Sequence, residues 1–316
     1  MAFKIQQIPY SDFEIIQLED NAYGTCIQIS TRGGILNSWT VQKENQQKSF
    51  ILGNDFAQGW NMFEKNGFRG GKMSPFSCRL YKGQYQHAQE HYQIQKFYLG
   101  EHAMHGILYD ALFNVVHTTI TSESATLLLE HHYQGTDQGF PFPYTMQIEW
   151  ILLKNNTIQV KTSILNQHHS KIPIMDGWHP YFTLGGKVDD YVLTFKNKGK
   201  LVYDASLIPT GNWNEDNRYQ EGLQIGATHF DDCYALDDEL NTIQLSYQGN
   251  TLIVKPLANY PCLQIYTPDD RASIAIENLS GVPNCFNNKM GLHYLEPQNS
   301  LSFETSYQMI INVPQR

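Results

Sequence analysis

The stretch from residue 243 to residue 254 reads IQLSYQGNTLIV, and it decides the class of fold. Apolar residues occupy every second position on both sides of a central tripeptide, at Ile243, Leu245 and Tyr247 before it and at Leu252 and Val254 after it. A period of two separates the side chains onto the two faces of a strand. Glycine and asparagine accept positive φ values, so Gln248-Gly249-Asn250 predicts a tight turn between two strands.

The same alternation recurs along the chain in both directions. It is present at residues 144–150, 158–164 and 191–195, and a second hairpin is predicted at residues 263–276 around Pro268-Asp269-Asp270. Residues 55–65 favour one short helix. Many alternating strands with little helix predict an all-β fold, a large twisted antiparallel β sandwich. No repeat or linker interrupts the pattern, so residues 1–316 are predicted to form a single domain.

Charge and composition exclude several classes of function. The 316 residues carry a formal net charge of -9, and their arginines occur singly, which argues against nucleic acid as a partner. No apolar run approaches the roughly 18 residues of a membrane span, and the N-terminus lacks the pattern of a signal peptide. The 5 cysteines are widely spaced and odd in number, which is typical of reduced thiols. We therefore expect a cytoplasmic protein without a membrane partner.

A histidine-rich stretch offers a metal-binding hypothesis. Residues 87–91 read HAQEH and fit the H-x-x-E-H pattern of inverted zinc proteases. That chemistry requires a helix, because only then do positions i and i+4 share a face. The flanking residues 82–85 and 92–95 instead have the composition of a turn and strands. The pattern therefore favours a polar hairpin over a zinc site.

Four short stretches could carry other chemistry. Residues 176–182, DGWHPYF, place His179 between aromatic residues and a proline, which restricts its rotamers. His105 directly precedes Gly106, and Asp231 and Asp232 follow Phe230. Each of these alone is more often a packed or strand-end polar residue than a catalytic one.

The fourth stretch is the predicted strand at residues 274–278. Because side chains alternate along a strand, Glu277 should face away from Ile274 and Ile276 and lie on the same face as Ala275. A small neighbour on that face leaves room for a ligand. Alone, this glutamate too would be read as a strand-end polar residue.

Taken together, and in this order, the motifs resemble a known family. Arg79, His105-Gly106, His179-Pro180-Tyr181-Phe182, Asp231 and Glu277 are similar to the pattern of the aldose 1-epimerases, or galactose mutarotases. In strict galactose mutarotases the first histidine has an asparagine-rich context and the second follows an asparagine. Met104 and Trp178 occupy the preceding positions here, so the resemblance is to a broader epimerase-like subgroup. It implies the galactose mutarotase-like supersandwich and the interconversion of α and β anomers of a free hexose.

The resemblance also implies roles for these residues. Glu277 would be the general base and His179 the general acid, with His105 orienting the region of the ring oxygen and stabilising developing charge. The acidic limb of the pH profile would then belong to the carboxylate and the basic limb to the histidine. The reaction would need no cofactor and no metal.

Substrate-binding roles are implied for four further residues. Arg79 and Asp231 would hold sugar hydroxyls, with Asp232 as the alternative if the strand register differs by one residue. Trp178 and Tyr181 would pack on the apolar face of the sugar ring. The partner is thus a small-molecule sugar, and the oligomeric state is left open.

Two alternative functions remain at this point. A hexose-6-phosphate mutarotase of the same fold would need basic residues converging on the cleft, and the scattered arginines argue against it. A non-catalytic carbohydrate-binding domain would keep the aromatic residues and Asp231, but it would not need both His179 and Glu277. The identity of the sugar and the presence of a structural metal such as calcium stay open.

Overall fold

The protein is described by a computed structural model that covers residues 2–43, 46–59, 62–239 and 241–311. Strands account for 55% of the chain and helices for 5%, so the predicted all-β fold class is confirmed. Within the described ranges, no helix is both long enough and apolar enough to span a membrane.

The elements are short and are numbered in chain order. The strands are β1 (Phe3–Tyr10), β2 (Phe13–Asp20), β3 (Thr25–Ser30), β4 (Leu36–Lys43), β5 (Gln46–Ser49), β6 (Gly71–Met73), β7 (Arg79–Leu80), β8 (Gln84–His87), β9 (Glu90–Gln93), β10 (Tyr98–Leu99), β11 (His102–Met104), β12 (Asn114–Ile120), β13 (Ser124–Tyr133), β14 (Tyr144–Leu153), β15 (Thr157–Asn166), β16 (Ile172–Ile174), β17 (Gly177–His179), β18 (Tyr181–Phe182), β19 (Val192–Thr194), β20 (Asn197–Tyr203), β21 (Pro209–Asn214), β22 (Leu223–Gln224), β23 (Asp231–Leu236), β24 (Ile243–Tyr247), β25 (Asn250–Ala258), β26 (Cys262–Tyr266), β27 (Ile274–Leu279), β28 (His293–Leu295) and β29 (Ser300–Ile311). The α-helices are α1 (Met62–Lys65) and α2 (Cys285–Asn288), and single 3-10 turns lie at Phe56–Gln58, Tyr81–Gly83 and Val188–Asp190.

Two large antiparallel sheets form the body of the protein. One has nine strands in the order β12-β13-β14-β15-β29-β25-β24-β19-β22. The other has eight strands, in the order β21-β20-β23-β26-β27-β17-β6 with β18 also paired to β27. Strand β29 follows all the others in the chain, yet it lies inside the nine-stranded sheet between β15 and β25.

Smaller sheets surround this body. Strands β1 to β5 form a consecutive antiparallel sheet, and β10-β11-β7 form a three-stranded sheet. Strands β16 and β28 form one two-stranded ladder, and β8 and β9 form another.

The main core lies between the two large sheets. Trp150 of β14 and Trp178 of β17 meet edge to face, with ring centroids 5.1 Å apart. Phe182 of β18 contacts Tyr307 of β29, with centroids 5.4 Å apart. All four side chains are buried, and burying each large apolar side chain contributes about 1.5–3 kcal/mol to stability. Packing between two sheets confirms the predicted sandwich.

Both predicted hairpins are present. Strands β24 and β25 pair from Tyr247 opposite Asn250, and the turn between them has positive φ values at Gln248 (46°) and Gly249 (75°). Strands β26 and β27 also pair antiparallel. The helix expected over residues 55–65 is shorter than predicted, because a 3-10 turn and α1 occupy parts of the segment, and residues 60 and 61 lie outside the described ranges.

The histidine-rich stretch forms a hairpin, as predicted. His87 ends β8 and pairs with Glu90 at the start of β9, and Ala88 and Gln89 occupy the turn with positive φ values. This is not the helix that a zinc site of the H-x-x-E-H type requires. Among the residues that the structure describes, no group of three metal-ligating side chains could hold an ion.

Candidate active site

A cavity of about 210 Å³ lies beside the eight-stranded sheet, and most of the predicted site residues line it. They come from five different strands and one loop: Arg79 of β7, His105 after β11, His179 of β17, Tyr181 of β18, Asp231 of β23 and Glu277 of β27. The fold therefore brings together side chains that are widely separated in the sequence.

The floor of the cavity holds a carboxylate and an imidazole in contact. Nε2 of His179 lies 3.4 Å from Oε1 of Glu277, and the two side chains are only 6% and 2% exposed. Strand alternation places Glu277 on the cavity side, whereas Ile274 and Ile276 belong to the core, as the sequence predicts. The second polar atoms, Nδ1 of His179 and Oε2 of Glu277, have no hydrogen-bond partner among the described residues.

Burial sets the proton distribution of this pair. It raises the pKa of Glu277 well above its usual value, and the nearby Asp231 raises it further. Burial also lowers the pKa of His179 to about 3. Both shifts disfavour the charged forms, and they favour a protonated Glu277 beside a neutral His179. The directions of these two shifts run against the expected assignment of the pH limbs, acidic to the carboxylate and basic to the histidine.

His105 is held by an unusual backbone and by its ring neighbours. Its φ is 58°, and Gly106 follows with a φ of 79°. A Cβ atom at residue 106 would lie 2.2 Å from the carbonyl oxygen of Ser74, so only glycine allows this close approach. The imidazole lies 4.8 Å from the Phe68 ring and 5.0 Å from that of His179. Burial lowers its pKa well below the usual value, which favours a neutral ring.

A polar cluster lies on another wall of the cavity. Nε2 of Gln264 donates a hydrogen bond to Oδ1 of Asp231 over 2.8 Å, and Nη1 of Arg79 lies 3.6 Å from Oδ2. Asp232 lies outside the cavity lining, where its carboxylate pairs with Nζ of Lys200 at 2.8 Å. The register of β23 thus puts Asp231, and not Asp232, at the cavity.

The two aromatic predictions have different outcomes. Tyr181 lines the cavity and stacks on His179, with centroids 4.9 Å apart and ring planes 2° from parallel. Its hydroxyl donates to the carbonyl oxygen of Gly67 over 2.9 Å, which fixes the ring. The prediction that Trp178 packs on the sugar is wrong. Adjacent residues of a strand face opposite sides, so Trp178 points away from His179 and packs against Trp150.

A buried ion pair lies behind strand β17, on the side of Trp178. Nζ of Lys72 is 2.5 Å from Oδ1 of Asp176 and 4.3 Å from the Trp178 ring, and both charged side chains are fully buried. The hydroxyl of Tyr260 also donates to Oδ1 of Asp176, over 2.6 Å. Burial lowers the pKa of Lys72 to about 8 and raises that of Asp176. The pair connects β6 to the segment that carries His179.

Sequence reasoning missed several residues of the cavity. Gln264 and Tyr266 of β26 line it, together with Glu64 of α1 and Cys78. Gln264 is the direct cross-strand partner of Glu277, so the correct register of the predicted hairpin would have identified it. The positions of Glu64 and Cys78 follow no strand pattern and had no comparable signal.

Comparison with known proteins gives a consistent picture. Residues 14–308 match the family model described as aldose 1-epimerase. A curated relative, the uncharacterized protein YihR of Escherichia coli K12, is 25% identical over 232 residues, which cover 70% of this chain and 73% of the relative.

Solved structures share the fold at low sequence identity. A galactose mutarotase-like protein from Clostridium acetobutylicum superposes with a TM-score of 0.85 at 17% identity, over 98% of this chain and 99% of the other. Galactose 1-epimerase from Lactobacillus acidophilus gives a TM-score of 0.81 at 18% identity, over 98% of both chains.

Proposed function

Because this chain belongs to the aldose 1-epimerase family and is thus an isomerase, we propose that it interconverts the α and β anomers of a free aldohexose. The observation that carries the proposal is the contact between Glu277 and His179 at the floor of the cavity. Anomerisation requires a base at the C1 hydroxyl and an acid at the ring oxygen. These two oxygens are bonded to the same carbon, so the base and the acid must lie close together.

The proposed reaction begins with ring opening. Glu277, as the carboxylate, removes the proton of the C1 hydroxyl, and the electrons form the aldehyde C=O as the bond from C1 to the ring oxygen breaks. His179, as the imidazolium, donates its proton to the leaving ring oxygen. Rotation about the C1–C2 bond then presents the other face of the aldehyde. Ring closure reverses both proton transfers and restores the two residues.

The proton distribution that burial favours in this pair fits the proposed steps. The reactive ion pair and the neutral pair differ only in the position of one proton, which crosses the contact between Oε1 of Glu277 and Nε2 of His179. Burial favours the pair in which Glu277 carries the proton and His179 is neutral. The same protonation states face the open-chain aldehyde once both proton transfers of ring opening are complete. The site therefore stabilises the neutral forms that must exist midway through the reaction.

The remaining predicted residues take supporting roles in this proposal. Asp231 and Arg79 bind sugar hydroxyls, and the hydrogen bond from Gln264 orients the carboxylate of Asp231. His105, held in contact with the ring of His179, orients the region of the ring oxygen. Tyr181 supports His179 by stacking on it.

Charge favours an unphosphorylated sugar. Among the described residues that line the cavity, three are carboxylic acids, Glu64, Asp231 and Glu277, and the single lysine or arginine is Arg79. That arginine already faces Asp231. A phosphate dianion would lack the converging cations that it needs in a partly desolvated site, so the hexose-6-phosphate alternative is disfavoured.

Two further observations bear on substrate size and compartment. The cavity of about 210 Å³ is smaller than the roughly 300–1,000 Å³ of pockets for drug-sized ligands, which supports a single monosaccharide ring inside it.

All five cysteines are free, which supports the proposal of a reducing, cytoplasmic compartment.

Polarimetry of freshly dissolved single anomers tests the function. We expect the protein to accelerate the mutarotation of glucose or galactose above the spontaneous rate, with little effect on glucose 6-phosphate. Sugar binding without acceleration for any member of an aldose panel would contradict the enzyme and favour the carbohydrate-binding domain. Faster turnover of the phosphorylated sugar would contradict the choice of a free hexose.

A further inference from the structure

One carboxylate of the cavity takes no part in the proposed proton transfers or in the contacts of Asp231 and Arg79. Glu64 of α1 lines the cavity and is partly exposed there. Its Oε1 accepts a hydrogen bond from the hydroxyl of Tyr109 over 2.8 Å. No residue in the described ranges donates a hydrogen bond to Oε2. The carboxylate therefore keeps one oxygen for a donor that enters the cavity.

Tyr109 holds this carboxylate in place. Burial raises the pKa of Tyr109 far above its usual value, and the contact with Glu64 raises it further, so the hydroxyl keeps its proton and donates it to the hydrogen bond. The Tyr109 ring is buried and meets Phe68 edge to face, with centroids 5.0 Å apart. A side chain that is already ordered loses little conformational freedom when a ligand binds, which favours recognition by Glu64.

The backbone after α1 ties Glu64 to the strands that carry His179 and Tyr181. The N–H of Gly67 donates to the carbonyl oxygen of Glu64 over 3.1 Å, and the hydroxyl of Tyr181 donates to the carbonyl oxygen of Gly67 over 2.9 Å. The N–H of Gly70 donates to the carbonyl oxygen of His179 over 2.8 Å. These bonds set the position of Glu64 relative to the proposed general acid.

The acid-base pair determines which part of the sugar reaches Glu64. In the proposed mechanism, His179 faces the ring oxygen and Glu277 faces the C1 hydroxyl. The other carbon bonded to the ring oxygen is C5, which carries the hydroxymethyl group with C6 and its hydroxyl. This group therefore lies on the ring-oxygen side of the sugar, where His105 contacts the ring of His179.

A row of rings leads from that side of the cavity to Glu64. The rings of His105 and Phe68 lie 4.8 Å apart, and Phe68 contacts Tyr109, whose hydroxyl holds Glu64. His105, Phe68 and Glu64 all line the cavity, whose volume of about 210 Å³ suits one hexose ring. A sugar that fills this volume extends its hydroxymethyl group along the row to Oε2 of Glu64.

We propose that Glu64 accepts a hydrogen bond from the C6 hydroxyl of the sugar and thereby makes the enzyme select hexoses that carry this hydroxyl over sugars that lack it. This inference rests on the proposed function, because that function defines how the ring lies in the cavity. A hydrogen bond from a hydroxyl to a carboxylate is about twice as strong as one between neutral groups. Glu64 is then a specificity-determining residue that moves no proton.

The test compares two substrates that differ by one oxygen atom, glucose and 6-deoxyglucose. If the enzyme turns over galactose and not glucose, galactose and 6-deoxygalactose replace them. The variant is Glu64→Met, because methionine is close in size, favours a helix and is only a weak acceptor. Glu221→Met is the matched control, since Glu221 is an exposed glutamate outside the cavity lining.

We expect the kcat/KM of the wild type to be about five- to twentyfold higher for glucose than for 6-deoxyglucose. A hydrogen bond to a charged group is lost with the deoxy sugar, and water replaces it in part because Glu64 is not fully buried. Glu64→Met should lower kcat/KM for glucose by a similar factor and change that for 6-deoxyglucose less than about twofold. Glu221→Met should keep the full preference.

Two results would overturn the inference. One is a wild type that turns over both sugars equally well. The other is a Glu64→Met variant that loses activity equally on both, as a purely structural role would give. If Glu64→Met does not fold, Glu64→Gln decides: it keeps the shape but not the charge, so a reduced preference supports the inference and an unchanged one overturns it.

The proposed function fails separately, if the wild type accelerates no mutarotation at all. Calorimetric titration of the wild type and Glu64→Met with the two sugars then decides the role of Glu64 alone. Tighter binding of glucose that is lost in the variant supports the contact with the C6 hydroxyl. Equal affinities for the two sugars, or no detectable binding, overturn it.

Discussion

Replacing Glu277 by glutamine is the most direct test of the proposed chemistry. The amide keeps the size and hydrogen-bonding capacity of the side chain, but it cannot accept the proton of the C1 hydroxyl. Because burial raises the pKa of Glu277 and so favours its protonated form, the substitution exchanges one neutral group for another. We therefore expect the free energy of unfolding to change by less than about 1 kcal/mol, within the range of conservative changes.

The size of the catalytic effect follows from the burial of the site. General acid-base groups contribute about 10²- to 10⁴-fold to rates, and the low end applies where water can replace the missing base. Glu277 is buried at the cavity floor, so water has little access to take its place. We expect kcat to fall about 10³- to 10⁴-fold, equivalent to about 4–5.5 kcal/mol of transition-state stabilisation. KM should change less than about threefold, because ground-state contacts are kept.

The assay follows optical rotation after dissolving a pure anomer, with the spontaneous rate subtracted at each sugar concentration. Asp232→Asn is the matched control, because it makes the same carboxylate-to-amide change on a residue that pairs with Lys200 outside the cavity. It should retain near wild-type kcat. If Glu277→Gln kept more than about a tenth of wild-type kcat, the assignment of Glu277 as the base would be refuted.

Four other outcomes are expected. Burial lowers the pKa of His179, the proposed general acid, to about 3, so kcat/KM measured against pH should show no acidic limb between about pH 7 and pH 5. A fall in kcat/KM centred near pH 6.5 would contradict this. Asp231→Ala should mainly raise KM while Asp232→Ala leaves it unchanged, and steady-state kinetics showing the reverse would exchange their roles. Lys72→Met should lower the free energy of unfolding by about 3–5 kcal/mol, because it leaves Asp176 buried without its cationic partner. Denaturant titration of the double variant that also carries Asp176→Asn should show that part of this free energy is recovered. Dialysis against a chelator should leave mutarotation unchanged, because the proposed steps use only side-chain protons, and a loss restored by zinc or calcium would contradict this.

Local patterns in the sequence predict much of this fold and part of its site. The alternation around Gln248-Gly249-Asn250 contains its own turn, so the pattern and the turn chemistry specify the same hairpin. Glu277 faces the cavity because its neighbours Ile274 and Ile276 are core residues. Such predictions succeed because the period of a strand is a local property.

The errors arise where the answer depends on contacts between distant segments. The sequence predicts that Trp178 contacts the sugar because this residue is aromatic and adjoins His179, although strand alternation separates the two side chains. Gln264 was missed because several residues separate β26 from β27, and the sequence leaves their register open. Leu99 of β10 and Leu207 of the loop between β20 and β21 both line the cavity, and no local pattern links these two residues.

The position of β29 has a consequence for biosynthesis. This strand is made after all the other strands, yet it is an inner member of the nine-stranded sheet, between β15 and β25. Until residues 300–311 leave the ribosome, β15 and β25 each carry an unpaired edge, and exposed edges template association with other chains. The nascent chain therefore exposes two edges that favour association with other chains until β29 has been made and has inserted between them.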